Sequence, residues 1–269
     1  MAIITISRGS YSKGKEVAEK VAQRLGYRCI GREVLLDASK EFNIPEVKLV
    51  RAIHNAPSIL DRFTYGKERY VACFQAALLK YLQGDNVTYH GLAGHFFLKG
   101  IAHVLKVRII ADMADRVRLE MEREGIGREE AWQTLKKDDE ERRKWSLNLY
   151  GIDTSDPSLY DLVIHIRKLD VAEAVQIICH TARLDNFKTT VASQKAMDDL
   201  VIAAEIKATL VELKPDVQVS CQDGRVIVGA TTHLFEQPEM VEEIKRIALG
   251  VAGVKSVDLK LTHLVDWTD

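Results

Sequence analysis

The chain is expected to fold as an α/β protein with a mostly parallel sheet, and three observations lead there. Five short β-rich runs lie at residues 3–7, 27–30, 86–90, 107–112 and 162–166, each separated from the next by at least one helical pattern, which calls for crossover connections. The first run enters a Gly-x-x-x-x-Gly-Lys loop that leads directly into a helical pattern. The composition, 46% hydrophobic and 29% charged over 269 residues, is globular and leaves room for a large and a small domain.

The opening strand reads Ile3-Ile4-Thr5-Ile6-Ser7, and the helix after the loop buries Val17, Val21, Ala22 and Leu25 on one face. Between them stand Gly9, Ser10, Tyr11, Ser12, Lys13, Gly14 and Lys15. The two glycines let backbone N–H groups turn inward around an anion, and the helix aims its positive end at the same point. Lys15 supplies a mobile point charge for β- and γ-phosphate oxygens. A complete motif of this kind has Ser or Thr after the lysine to hold magnesium, and this chain has Glu16, whose carboxylate is expected to face outward.

Further along, Pro45 and Pro57 punctuate a helical region whose best helix is 67–83, with Phe74, Leu78, Tyr81 and Leu82 as a buried stripe. Residues 116–145 are charge-dense and read as a solvated helix with pairs such as Asp138 and Arg142. Ligands of parallel sheets bind beyond the carboxyl ends of the strands, so the loop and the turns after 30, 90 and 112 should share one edge. Periodicity fades after Arg183, which marks 184–195 as a linker between domains at 1–183 and 196–269. The second domain should be α+β: a helix over 197–213, a hairpin turning at Asp223-Gly224, a helix over 238–249 and a strand over 256–262.

Charge and cysteine usage exclude several classes. Residues 1–183 carry 29 Lys and Arg against 25 Asp and Glu, whereas residues 196–269 carry 7 against 13, so the tail should repel nucleic acid and anionic lipid. Cys29, Cys73, Cys179 and Cys221 are far apart, and the eight histidines are scattered, so neither a metal site nor a disulfide framework is expected. No apolar run approaches the ~18 residues of a membrane span. A cytoplasmic location is expected.

The first 183 residues resemble the cytidylate kinase-like branch of the P-loop nucleoside monophosphate kinases. The resemblance is carried by Ile6-Ser7-Arg8 before the loop, Leu25-Gly26-Tyr27, Gly31-Arg32-Glu33-Val34-Leu35, Asp139-Glu140-Glu141-Arg142, Tyr150-Gly151-Ile152-Asp153 and the run from Asp156 to Ile164. It implies that ATP, carrying Mg2+, sets its phosphates on Gly9 to Lys15, that a helix-rich insertion holds a monophosphate, and that 128–145 is a lid bearing Arg142 and Arg143. Lys15, Arg142 and Arg143 would then be the catalytic cations, with Arg8 and Arg32 as contacts to the acceptor. Three positions depart from the pattern: Glu16, Gly31 where the family usually has Asp, and Leu92 where many members have the arginine of Gly-Arg-Gly. The departures leave the acceptor open. They also leave open an alternative in which a non-catalytic nucleotide sensor regulates partner contact through its tail.

The tail resembles a BON domain, through Ile206 to Leu210, the run Asp223 to Gly229, and the run Val251 to Leu259. The resemblance implies an interaction or sensing module for a protein partner or a small ligand.

Overall fold

The computed structural model describes residues 2–9, 12–31, 33–42, 66–91, 94–215, 217–231 and 238–262. Among the described residues the elements run β1 (Ile3–Arg8), α1 (Gly14–Leu25), β2 (Arg28–Ile30), α2 (Glu33–Glu41), α3 (Gly66–Leu82), β3 (Val87–His90), α4 (Gly94–Phe97), β4 (Val104–Ala111), α5 (Met113–Glu124) and α6 (Arg128–Tyr150). They continue with β5 (Leu162–Ile166), α7 (Val171–Thr181), α8 (Val191–Leu210), β6 (Gln218–Gln222), β7 (Arg225–Thr231), α9 (Pro238–Leu249) and β8 (Ser256–Thr262). The chain divides into two compact units, one made of residues 1–62 and 84–190, the other of 63–83 and 191–269.

In the first unit the five strands form one sheet in the order β2-β3-β1-β4-β5, every neighbouring pair parallel. β1 is central because the chain crosses first to one side of it, for β2 and β3, and then to the other, for β4 and β5. The loop after β1 therefore opens at the point where the strand order reverses, which is where such sheets bind ligands. Alternation sorts the side chains. Ile4 and Ile6 of β1, Leu105, Val107 and Ile109 of β4, and Ile164 and Ile166 of β5 pack with Val17 and Val21 of α1 and Val175 and Ile178 of α7 in one core. The intervening residues of β4, Lys106, Arg108 and Ile110, take the opposite face, and Arg108 stands in register with Ser7.

Helix ends follow local chemistry. Asp170 and Glu173 form a reciprocal capping box at the start of α7. The expected single charged helix is two, because Gly125 takes a positive φ of 67° and ends α5, and Gly127 starts α6 as N-cap. Val117, Ala131 and Leu135 form the small apolar seam of this α5–α6 pair. Its exposed faces hold most of the charges, while Arg116 and Glu120 are buried.

In the second unit β6, β7 and β8 form a three-stranded sheet, the hairpin pair antiparallel and β7–β8 parallel. The turn at Asp223 and Gly224 has positive φ at both residues, the geometry a two-residue hairpin favours. Asp199 of α8 accepts hydrogen bonds from the Asp223 and Gly224 amides at 2.8 and 3.0 Å and from Cys221 Sγ at 3.2 Å. Burial alone would raise the Asp199 pKa, but these donors hold it below its ordinary value. Ile206, Leu210, Val226, Val228 and Ile244 fill the core of the unit. Helix α8 begins at Val191, so the last residues of the expected linker are its first turn. α3 lies with α8 through an Arg69–Glu212 ion pair, Lys80 at 3.7 Å from Glu205, and Gln83 donating to Asp198 at 2.9 Å. Its burial at Ala72, Cys73, Phe74, Ala76, Ala77, Leu78, Leu79 and Leu82 is wider than the stripe expected from periodicity.

Candidate functional site: a phosphate loop between two cavities

The loop closes on itself. Ser12 is fully buried, and its hydroxyl donates to the Gly9 carbonyl at 3.0 Å. Lys13 caps α1 in the left-handed region at φ 61°, a conformation that costs a non-glycine residue roughly 1–2 kcal/mol and recurs where function constrains the backbone. Gly14 is required sterically: a Cβ there would stand 2.7 Å from both Cβ and Cδ of Arg8, whose stem crosses the loop. Ser10, Tyr11, Arg32 and Leu92 lie outside the described residues. Lys15 Nζ is 3.7 Å from Glu19, and Glu16 takes the outward pose expected of it, bonded to Lys20 at 2.7 Å.

The α5–α6 pair brings arginines over the loop. Arg142 donates from Nη1 to the Arg8 carbonyl at 3.2 Å. Arg143 instead turns to Asp153, donating from Nε and Nη2 at 2.9 and 2.6 Å, and together with the Ser155 donors this holds the Asp153 carboxyl down to about 2. Arg116, which sequence reasoning passed over as part of a solvated helix, is buried and makes a bidentate pair with Asp139 at 2.7 and 2.9 Å. That pair lies against the open side of Gly9, with the guanidinium carbon 3.6 Å from where a Cβ would stand.

A second polar group was also missed. Arg108 donates from Nη1 to the Thr154 carbonyl and to the Tyr160 hydroxyl at 3.1 Å, with its guanidinium carbon 5.5 Å from the Tyr160 ring centre. The Tyr160 oxygen is within 3.0 Å of Thr154 O, 3.3 Å of His95 Nε2 and 3.4 Å of Ser7 Oγ. It has one proton to donate. His95 is buried, and burial first, then the charges of Arg108 and Lys106, push its pKa down to about 3, so the ring is neutral. The signal that could have found Arg108 was the pair of cations, Lys106 and Arg108, spaced two apart within a strand of apolar residues.

At the far side of the loop, Gly31 has a structural reason. A Cβ at 31 would lie 2.6 Å from the His90 ring, which fills that space. Burial, then the nearby Arg8 charge, lowers the His90 pKa and favours a neutral imidazole.

Two cavities flank the loop and share Arg8 and Arg142. One, of about 750 Å³, has Lys13, Lys15, Glu16 and Glu19 on its α1 side and Glu122, Arg123 and Asp138 on its lid side. The other, of about 260 Å³, is lined by Ser7, Gly9, Ser12, Arg108, Arg116 and Ser146 among others. Ser146 is 1% exposed, and its hydroxyl has no hydrogen-bond partner among the described residues.

A loop of this kind on the central strand of a parallel sheet, with an arginine-bearing helical pair beside it, has the layout of a P-loop kinase-type fold. Residues 3–168 match the cytidylate kinase-like family, more than half of the chain, and the chain belongs to that family. A cytidylate kinase of Thermococcus kodakarensis is 43% identical over 61 residues, which are 23% of this chain and 32% of that protein. One of Methanosarcina acetivorans is 36% identical over 98 residues, 36% of this chain and 53% of that protein. The chain thus spans about a third of the length of the first of these relatives and about half of the second. A solved, uncharacterised protein of Eubacterium ventriosum shares the fold with a TM-score of 0.52 at 22% identity, covering 68% of this chain and 98% of that one. No helix among the described residues is long and apolar enough to cross a membrane.

Proposed function

We propose that the first unit transfers a phosphoryl group from ATP to a nucleoside monophosphate, with cytidylate the first acceptor to test. The observation that supports this most directly is the loop itself: Ser12 and Gly14 hold it closed at the carboxyl end of the central strand, and Arg142 bridges to it from the lid at Arg8. Phosphoryl transfer needs little covalent help from the protein, so cations placed on in-line oxygens supply most of the rate. Lys15, 63% exposed and joined to Glu19 only at 3.7 Å, is able to leave that partner for a phosphate at small cost. Arg142 would neutralise charge in the transition state. Arg143, bonded to Asp153, would instead set the position of the lid end. Arg8 lines both cavities and would contact acceptor or donor phosphate; Arg32 remains part of the same proposal.

Magnesium fits this loop only in part. Glu16 is bonded to Lys20 where a hydroxyl ligand would stand, and the Ser12 hydroxyl is given to Gly9, so the ion would come with the nucleotide. When bound it supplies charge neutralisation on the β- and γ-oxygens. The tail is proposed as a BON-like module, in the sequence domain 196–269, that contacts a protein partner or senses a small ligand. A cytoplasmic site of action belongs to the same proposal.

The test is a melting scan of the full chain with ATP or CTP, with and without magnesium, followed by ADP release with CMP, UMP, dCMP and AMP. ATP should raise the melting temperature through binding to the folded state, and one monophosphate should drive ADP release. Lys15→Ala should abolish both signals. ATP stabilisation with no product from any monophosphate would favour the sensor reading, and a Lys15→Ala protein that binds as tightly as the native one would refute the loop assignment.

A further inference from the structure

Arg108 is the clearest unexplained charge in the first unit. It lies on an interior strand, half-buried, and its partners are a carbonyl, a phenol and an aromatic face, all neutral. Among the described residues no carboxylate pairs with it. Arg116 and Arg143, lining the same cavity, each have an aspartate. A half-buried guanidinium held only by neutral groups keeps its charge available to an incoming anion. The same cavity presents the hydroxyl of buried Ser146, a donor with no acceptor among the described residues. Among the described residues lining it are five arginines and one carboxylate, Asp139, with Asp153 bonded to Arg143 from outside, and at about 260 Å³ the cavity admits a phosphate group with part of its parent molecule.

We propose that Arg108, together with Ser146, forms an anion subsite for a phosphate group, separate from Lys15 and facing the loop from the β4 side. Tyr160 and neutral His95 are positioning residues that fix the fork of Arg108 without neutralising it. Were the Tyr160 position an aspartate, the arginine would be satisfied before any ligand arrived. The phosphate could belong to the donor nucleotide or to the acceptor monophosphate. The inference rests on the proposed reading of the unit as a nucleotide phosphotransferase, and the experiment separates the two.

Calorimetric titration of the full chain and of Arg108→Gln with ATP, CMP, cytidine and inorganic pyrophosphate is the test. Loss of a charge-assisted contact should weaken the phosphate ligand at least about tenfold while leaving cytidine unchanged. Weaker CMP with unchanged ATP assigns the acceptor phosphate, and the reverse assigns the donor. Arg108→Gln should melt no lower than the native protein without ligand, since a poorly solvated charge is removed; a purely structural arginine would give lower melting and unchanged binding, overturning the proposal. If neither nucleotide binds the native chain, the phosphotransferase reading fails, yet pyrophosphate still decides the subsite: equal affinity for both proteins refutes it. Should Arg108→Gln not fold, Arg108→Lys keeps the charge, loses the fork and should show a smaller loss of the same sign. Tyr160→Phe should weaken binding in the native background and have no effect in Arg108→Gln, which a general packing defect would not reproduce.

Discussion

On the Lys15 side of the loop the lining groups number five cations and four carboxylates, while on the Arg108 side they number five arginines and one carboxylate. The motif lysine therefore stands in a nearly balanced, open groove, whereas across the loop Arg116 and Arg143 have Asp139 and Asp153 and Arg108, outside any glycine-lysine pattern, is held by neutral groups alone. Where charge is already compensated, an incoming phosphate must displace a partner. Where it is not, the protein carries the cost in the empty state and recovers it on binding. The comparison places preorganisation for anions in the smaller cavity and leaves mobility to the larger one.

The largest expected effect comes from the element both cavities share. Gly14→Ala would drive a Cβ into the Arg8 stem, and the loop backbone must move because the obstructing atoms lie close to the Arg8 main chain. A loss of roughly 1–3 kcal/mol in chemical unfolding and failure of ATP to stabilise the protein are expected. Full retention of the ATP shift would remove the loop from both cavities.

Next in size is Asp139→Asn, which removes the carboxylate charge from the pair with Arg116 and should sharpen the contrast in charge. Breaking this partly exposed pair should cost about 1–2 kcal/mol without ligand, because Arg116 is buried, while pyrophosphate should bind more tightly. Lower stability with weaker pyrophosphate binding would show that the aspartate orients the arginine for its ligand. Asp199→Ala is the control in the second unit. It removes the acceptor of three bonds at the hairpin turn and should cost about 2 kcal/mol, with titrations of ATP and CMP unchanged.

The effect that vanishes at neutral pH is a pH dependence. His95 is neutral when folded down to about pH 3 but protonates near its ordinary 6.5 when unfolded, so the unfolded state binds the extra proton between those values. Stability should fall as pH drops from 6.5 toward 3, and His95→Gln should flatten that limb of the melting curve. An unchanged limb would mean that His95 is not held neutral by burial.

Much of the fold was legible because its signals are local. Ser256–Thr262 and Pro238–Leu249 fall at their expected bounds, and β1, the loop and α1 follow from one continuous run, residues 3–25. The split of the charged stretch at Gly125 and Gly127 was also in the sequence, where a glycine pair ends and restarts a helix. The company of α3 was not, since its hydrogen bond from Gln83 reaches a residue 115 positions away, beyond any periodic signal. The same holds for the site. Lys15, Arg142 and Ser12 belong to patterns, whereas Arg108 acquires meaning only through Thr154, Tyr160 and His95, which the fold assembles from three separate segments. Gly31 looked like a missing aspartate and proves to be the space occupied by His90.

The most direct test of phosphoryl transfer is phosphorus NMR of the full chain incubated with ATP, magnesium and CMP. The account predicts resonances of ADP and CDP growing together with the native protein and absent with Lys15→Ala. A spectrum in which ATP remains intact with CMP, UMP, dCMP and AMP alike would contradict it.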